Sequence, residues 1–448
     1  MFKVEDLLRG SRGKLISGSS CGRVRCVSSD SRTIKPKDAF IAIKGEKFDG
    51  HDFIACVVKS GAKLIIAHKD VSVKDKSVTV IRVRDTVEAL GDIAGFWRSQ
   101  FKIPVIAVTG SNGKTTTKDM IAWVLGSKFK VLKNPGTHNN HIGLPQTLLG
   151  LDKSYDLAVL EIGTNHFGEV GYLAGICKPD MGVITNIGPS HLEFLKNLNG
   201  VYREKYSLIK NLSGARISVL NADDRFLLRA LKARGVSGFS LGVGINSPSD
   251  FRASSLCVKN GKTEFAVNRK YKCTLNTPGS YNIYNALMAV AAGRIFGLSY
   301  AEISARLKTF QFPKSRLNLI TLKGITFIDD TYNSNPLSLT AALEALNKFD
   351  SGGRKILVMG DMLELGAGSR KFHAQAVRQA LKICDCLITV GERTKEACSG
   401  LKGAKKIFSC KTSVQARELI FRNMFFSDKD VVLVKGSRAI ALEEVFKV

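Results

Sequence analysis

The segment Val105-Ile-Ala-Val-Thr-Gly-Ser-Asn-Gly-Lys-Thr-Thr-Thr-Lys118 carries a short apolar run into a glycine-bracketed turn and then into residues that can open a helix. Gly110 and Gly113 allow so tight a turn that backbone N–H groups point at one anion, and a helix beginning at Lys114 adds its unpaired N–H groups and positive dipole end. Gly110, Ser111, Asn112, Gly113, Lys114, Thr115 and Thr116 are therefore the expected nucleoside triphosphate contacts. Within them Lys114 reaches the β- and γ-phosphates and the Thr115 hydroxyl holds Mg²⁺. Val108 stands where the general phosphate-loop pattern has its first glycine.

Two further residues suit the same chemistry. Glu161 closes the apolar run Leu157-Ala-Val-Leu-Glu161, and a carboxylate at such a strand end can bind a metal directly or through water. His191, in Thr185-Asn-Ile-Gly-Pro-Ser-His191, leaves a run of the same kind and is a second metal-ligand candidate. Lys205 lies on a segment with helical character, and its type and spacing alone describe a surface lysine.

Positioning these groups requires strands that end together. Residues 1 to about 101 hold short apolar runs, Leu64–Ala67 and Val78–Ile81, followed by a helical pattern over Thr86–Phe101. From 102 to 312 the runs Val105–Thr109, Leu157–Ile162, Gly182–Ile187 and Ile217–Leu220 alternate with longer periodic segments. That alternation predicts a mostly parallel sheet covered by helices, with the nucleotide at its carboxyl edge. After Phe310-Gln-Phe-Pro313 the alternation restarts with Ile325–Ile328, Ile356–Met359, Leu387–Val390 and Val431–Val434, separated by helical patterns over Leu337–Leu346 and Phe372–Leu381. Three domains are expected, 1–101, 102–312 and 313–448, with a hinge near Pro313.

Composition narrows the class. The chain has 448 residues, 44% hydrophobic and 24% charged, which is ordinary for a globular protein. No run approaches the roughly 18 apolar residues of a membrane span, and the first ten residues lack the apolar core of a signal peptide, so a cytoplasmic protein is expected. Sixty-seven Lys plus Arg against 39 Asp plus Glu give a formal charge of +28, which predicts anionic partners. The basic residues are spread from Lys3 to Lys447 without a zinc-finger spacing, an RNP-like aromatic motif or a basic tail, so a nucleotide substrate is favoured over nucleic acid. Ten scattered cysteines without a C-x-x-C pair read as reduced, mostly buried thiols, and on a strand Cys384 and Cys386 would share one face.

Taken in order, Thr109–Thr117, Glu161-Ile-Gly-Thr-Asn165, Asn186-Ile-Gly-Pro-Ser-His-Leu-Glu193 and Pro278-Gly-Ser-Tyr-Asn-Ile-Tyr-Asn-Ala286 resemble the motifs of the Mur ligases. Those enzymes use ATP to add amino acids or a dipeptide to UDP-N-acetylmuramic acid. Ile328-Asp-Asp-Thr-Tyr-Asn-Ser-Asn-Pro336, Met359-Gly-Asp-Met-Leu-Glu-Leu-Gly366 with His373, and Leu433-Val-Lys-Gly-Ser-Arg438 resemble the member that joins D-alanyl-D-alanine to UDP-N-acetylmuramoyl-tripeptide. Asp30-Ser-Arg32, Phe40-Ile-Ala-Ile-Lys-Gly45 and Phe48-Asp-Gly-His51 resemble its UDP-binding segment.

The resemblance implies an α/β chain with a small UDP-binding domain, a central phosphate-loop domain with helices on both faces of the sheet, and a Rossmann-like C-terminal domain. It implies ATP as cosubstrate, two Mg²⁺ ions, and carbamoylation of Lys205, which turns that cation into a metal ligand beside Thr115, Glu161 and His191. Lys114, Lys205, His191 and Glu161 become the catalytic set. Asn282 and Asn285 approach the adenine, and Arg316 and Asp330 the phosphates and ribose. Ser31, Arg32, Lys44, Asp49 and His51 are implied for the UDP-sugar, Asn139 and Asn140 for the muramoyl-peptide, and Asn333 and Asn335 for the dipeptide. The chain departs from the family at Tyr281, where His is usual, at Ser315, where Gly is usual, and at His141, where an acid is common. The expected partners are UDP-N-acetylmuramoyl-tripeptide and D-alanyl-D-alanine, with no nucleic acid, no membrane span and a monomeric state. The rival readings are the sister ligase that adds the third residue, a folylpolyglutamate-type synthetase, and a basic phosphate-loop ATPase that binds nucleic acid. The sister ligase is expected to carry Asp-Asn-Pro-Arg, which this sequence lacks, and a folate enzyme would not require Asp30-Ser-Arg32.

Overall fold

Strands that are apolar at every position must be covered on both faces. Leu64–Ala67, Val105–Thr109, Leu157–Glu161, Met181–Ile184 and Val431–Lys435 are buried along their whole length. The computed structural model describes residues 1–233, 238–259, 261–350, 352–401, 406–423, 427 and 429–447. Among them the central sheet runs, edge to edge, Val131–Lys133, Leu157–Glu161, Val105–Thr109, Met181–Ile184, Ile217–Asn221, Phe239–Gly244, Phe251–Lys259, Lys262–Val267, Tyr271–Leu275. It is parallel up to Phe251–Lys259 and antiparallel beyond.

Alternate residues of the central strands feed two cores, as the pleat requires. Val105, Ala107, Ala158 and Leu160 belong to one, and Ile106, Val108, Leu157 and Val159 to the other. The second core is closed by the helices Lys114–Leu125 and Asn282–Ile295. The first extends beyond the central sheet. It also contains Ile41, Leu64, Ile66 and Ile81 of the N-terminal sheet, joined through Ala89, Leu90, Ile93 and Ala94 of the helix Thr86–Ser99. The two sheets thus share one apolar interior across the boundary expected near residue 102.

The N-terminal sheet has the order Lys14–Ser17, Thr79–Arg82, Leu64–Ala67, Ala39–Ile41, Val27–Ser28, antiparallel only at its first pair. The C-terminal sheet has the order Asn318–Leu322, Ile325–Asp329, Val431–Lys435, Lys355–Gly360, Cys386–Val390, Lys406–Cys410, again antiparallel only at its first pair. Its two faces carry their own cores.

Two expectations need correction. Cys384 precedes the strand Cys386–Val390 and packs in one C-terminal core while Cys386 packs in the other, so the pair does not share a face. The strand expected over Gly182–Ile187 ends at Ile184, because Thr185 and Asn186 turn aside to hold the phosphate loop. All ten cysteines are free, five of them buried, and burial pushes the Cys177 thiol up to about 12. No helix among the described residues is long and apolar enough to cross a membrane.

Candidate active site

The carboxyl ends of the central and C-terminal strands face each other across a cleft of about 740 Å³. The central sheet contributes Ser111–Thr116, Glu161, Gly163–Asn165, Asn186, Ile187, Ser190, His191, Asn221, Asp223 and Asp224. The C-terminal sheet contributes Asp330, Tyr332–Asn335, Leu363–Leu365 and Lys435. Placement at strand ends follows from parallel topology, since loops leaving parallel strands gather on one edge.

The phosphate loop is held from the neighbouring strand. Ser111 N–H donates to the Asn186 carbonyl at 3.0 Å and Asn112 N–H to Asn186 Oδ1 at 3.0 Å. Asn186 Nδ2 donates back to the Asn112 carbonyl at 3.1 Å. These two loop N–H groups are thereby used within the protein, contrary to the expectation that they face an anion. The N–H groups of Gly113, Lys114, Thr115 and Thr116, at the open end of the helix, are the ones without a partner among the described residues. Gly110 has φ 147° and a Cβ there would lie 1.8 Å from Thr185 Oγ1, so no side chain fits. Lys114 folds back, its Nζ donating to the Gly110 carbonyl at 2.9 Å. Burial pushes its ammonium below the usual lysine range, with Glu161 opposing and Arg316 adding to the effect.

Glu161 is buried, and its backbone is clamped by one side chain. Asn134 Oδ1 accepts Glu161 N–H at 2.9 Å while Asn134 Nδ2 donates to the Glu161 carbonyl at 3.0 Å. Asn139 Nδ2 donates to Glu161 Oε1 at 2.6 Å, and Glu161 Oε2 is buried without a hydrogen-bond partner. A buried carboxylate oxygen left unpaired costs about 1–3 kcal/mol or more, so it fits a cation as its complement. No group of three His, Cys, Asp or Glu side chains among the described residues could complete such a site. A lysine must be converted if the third ligand is to come from Lys205.

Lys205, on the helix Leu198–Lys210, is 1% exposed, which corrects the surface reading of its isolated sequence. Burial, and then the charge of Lys114, pushes its amine well below the ordinary lysine range, with Glu204 opposing. Next to it, Glu204 holds the loop after Glu161 by accepting the N–H groups of Gly168 at 2.7 Å and Val170 at 2.8 Å. His191 Nδ1 lies 2.6 Å from Glu364 Oε2 of the C-terminal unit. Burial lowers its pKa, the Glu364 bond opposes, and Lys205 and Lys114 lower it further.

The C-terminal unit meets the phosphate loop directly. Arg316 Nη2 donates to Thr115 Oγ1 at 3.0 Å and its guanidinium stacks 4.2 Å over the Tyr332 ring. Asn112 and Asn335 exchange amide hydrogen bonds of 3.2 and 2.8 Å, while Asn335 also caps the helix Pro336–Lys348 by accepting Ser338 N–H at 2.9 Å. Asp330 accepts from Lys435 Nζ at 2.6 Å, and both are buried. Ser315 has φ 59°, the conformation that makes glycine the easier choice, and its hydroxyl donates to Asp329 Oδ2 at 3.0 Å.

Other expected residues sit elsewhere. Asn285 and Tyr281 line the cleft. Asn282 lies behind them, accepting from Asn285 Nδ2 at 2.8 Å. Asn140 Oδ1 accepts the N–H groups of Ile142 and Gly143 at the start of a helix and does not line the cleft. Ser31, Arg32, Lys44, Asp49 and His51 also lie outside it. Arg32 pairs with Asp30 at 2.7 Å, and Asp49 binds both His51 Nδ1 and Lys69 Nζ at 2.6 Å. A hydrogen bond from Gln146 Nε2 to Ser29 Oγ ties this segment to the central unit. Sequence reasoning missed Asn134, Glu204, Glu364 and Tyr284, which lines the cleft and donates its hydroxyl to Asp223 Oδ2 at 2.8 Å. Their signal was position rather than residue type: Tyr284 and Glu364 lie inside the segments Pro278–Ala286 and Met359–Gly366, and Glu204 lies next to Lys205.

Residues 23–98 match the family described as Mur ligase family, catalytic domain, residues 108–293 the Mur ligase middle domain, and residues 315–438 the Mur ligase, glutamate ligase domain. The chain is 34% identical over 458 residues to the UDP-N-acetylmuramoyl-tripeptide--D-alanyl-D-alanine ligase of Escherichia coli (strain K12), covering 100% of this chain and 97% of that one. The crystal structure of MurF from Acinetobacter baumannii superposes with a TM-score of 0.90 at 32% identity, covering 100% and 98% of the two chains. That of MurF ligase from Thermotoga maritima in complex with ADP gives 0.85 at 29% identity, covering 95% and 96%.

Proposed function

The chain belongs to the Mur ligase family, and from this membership together with the two-sided cleft we propose how it performs the ligation named for its relatives. It is an ATP-dependent ligase that joins D-alanyl-D-alanine to UDP-N-acetylmuramoyl-tripeptide, giving the pentapeptide used in peptidoglycan synthesis. The observation that carries the reading is the meeting of the phosphate loop, Glu161 and the Arg316–Asn335 segment in one cleft.

The tripeptide carboxylate attacks the γ-phosphorus of ATP, giving an acyl phosphate and ADP. The dipeptide amine then attacks the acyl carbon, and phosphate leaves as the amide forms. Charge accumulates on the phosphoryl oxygens, so fixed donors and cations aimed at them lower the barrier. Lys114 leaves the Gly110 carbonyl for the phosphates, joined by the N–H groups of Gly113 to Thr116 and by Arg316. Asn285 and Tyr281 border the adenine side and Asp330 the ribose. Mg²⁺ supplies further positive charge, and Thr115, Glu161, His191 and Lys205 are the residues that would hold it. Burial of Lys205 disfavours its protonated form, so its amine suits nucleophilic addition to CO₂, which gives a carbamate and releases one proton.

Asn139 orients Glu161 beside the peptide carboxylate, and Asn333 and Asn335 face the dipeptide. We assign residues 1–101 to the UDP-sugar, with Ser31, Arg32, Lys44, Asp49 and His51 as its contacts, 102–312 to ATP, and 313–448 to the dipeptide and part of ATP. Both nucleotide substrates place the enzyme in the cytoplasm. Phosphate release with UDP-muramoyl-tripeptides ending in lysine or diaminopimelate should require D-alanyl-D-alanine for sustained turnover. No phosphate above background with either peptide would refute the assignment.

A further inference from the structure

His191 follows the strand Met181–Ile184 and Glu364 follows the strand Lys355–Gly360, so the pair joins two different sheets. Both residues are held in the left-handed backbone region, at φ 52° and 59°, which non-glycine residues rarely adopt. The two loops are pinned at this point by the main chain as well. Glu193 N–H donates to the Glu364 carbonyl at 3.2 Å, and Gly366, at φ 56°, comes so close that a Cβ on it would lie 3.3 Å from Glu193 Cα. The contact is therefore built, with backbone strain on both sides.

A carboxylate only accepts, so a neutral His191 carries its hydrogen on Nδ1 when bonded to Glu364 and keeps the lone pair of Nε2 for an electrophile. Nε2 has no partner among the described residues. Metal-binding histidines are held in this manner by a carboxylate on the far ring nitrogen, and losing that partner weakens metal binding about 10–100-fold.

We propose that Glu364 is a positioning residue which, reaching from the C-terminal unit, fixes the tautomer and direction of His191 so that Nε2 can ligate the divalent cation of the phosphate site. Cation binding is then completed by docking of the C-terminal unit. The proposal rests on the metal role of His191 given above. Glu364→Ala removes the acceptor, whereas Glu364→Gln retains a carbonyl oxygen in its place. In the full chain with a non-hydrolysable ATP analogue, Mn²⁺ binding followed by its paramagnetic resonance should weaken about tenfold or more in Glu364→Ala and by less than about threefold in Glu364→Gln. Nitrogen NMR of histidine-labelled protein should show His191 protonated on Nδ1 in the parent and in the Gln variant, and a mixture of tautomers in the Ala variant. Unchanged Mn²⁺ binding in Glu364→Ala or in His191→Ala, or an unchanged tautomer in Glu364→Ala, would overturn the proposal. Phosphate release by the parent chain, measured alongside, separates this failure from failure of the ligase assignment.

Discussion

Lys205 illustrates what a single residue's surroundings decide. Its amine is buried, has no hydrogen-bond partner among the described residues, and lies near the charge of Lys114, so the protonated form is disfavoured on two counts. Carbamoylation, as proposed above, would put an anion beside the positive charge of Lys114, where a protonated amine is disfavoured. Lys205→Ala is expected to lower turnover by a hundredfold or more, on the order of what a misplaced charge-stabilising group costs, and millimolar formate or acetate should restore part of it. Full activity without added acid would reject the modified-lysine role. The sequence alone disclosed Lys205 only through its motif, because burial depends on what the rest of the chain packs over a helix. Glu161 was more legible: an acid ending a wholly apolar strand has few environments open to it. Asn140 and Asn282 were less legible, since an amide serves a backbone turn or a neighbouring side chain as readily as a ligand.

At the scale of elements, strands were legible because burial on both faces forces unbroken apolar runs, and Leu64–Ala67 and Val105–Thr109 fall where those runs predict. Their ends were less so. Thr185 and Asn186 have strand-like neighbours, yet their polar groups are spent on the phosphate loop, an interaction invisible until two strands lie side by side. The C-terminal sheet has a comparable device at its opposite edge. Asp430, just before the strand Val431–Lys435, accepts from Arg354 Nη2 at 2.6 Å and from the backbone N–H groups of Arg354 and Ser427. Burial works to raise its carboxyl, but these bonds outweigh it and hold the group below the usual carboxylate range. A carboxyl depressed in the folded state stabilises above its unfolded value, near pH 3.8, and that contribution is lost as pH falls through the folded value. Melting temperatures taken from pH 5 down to pH 2 should therefore fall less steeply for Asp430→Asn than for the parent chain, the curves diverging below about pH 3.8. Parallel curves would show that the charge on Asp430 does not contribute.

In the whole molecule, two junctions of different character divide the chain. The C-terminal unit has its own cores and meets the central unit through the polar contacts of Arg316, Asn335 and Glu364 and through the packing of Tyr281 against one of those cores. The N-terminal and central sheets share an apolar interior through the helix Thr86–Ser99. Calorimetry should accordingly resolve two transitions, one for residues after about 313 and one for everything before, rather than three. An ATP analogue with UDP-substrate should raise the C-terminal transition toward the other, because ligands spanning the cleft stabilise the docked form. Separate melting of the N-terminal unit would contradict the shared interior. That interior also limits how the parts can be exchanged between relatives. A chimera joined after residue 101 would place a foreign Thr86–Ser99 helix against native partners on the central unit, so the N-terminal module is inherited together with the face it packs on. The C-terminal module needs to bring only a few polar contacts and a seat for Tyr281, which leaves it the freer of the two to recombine.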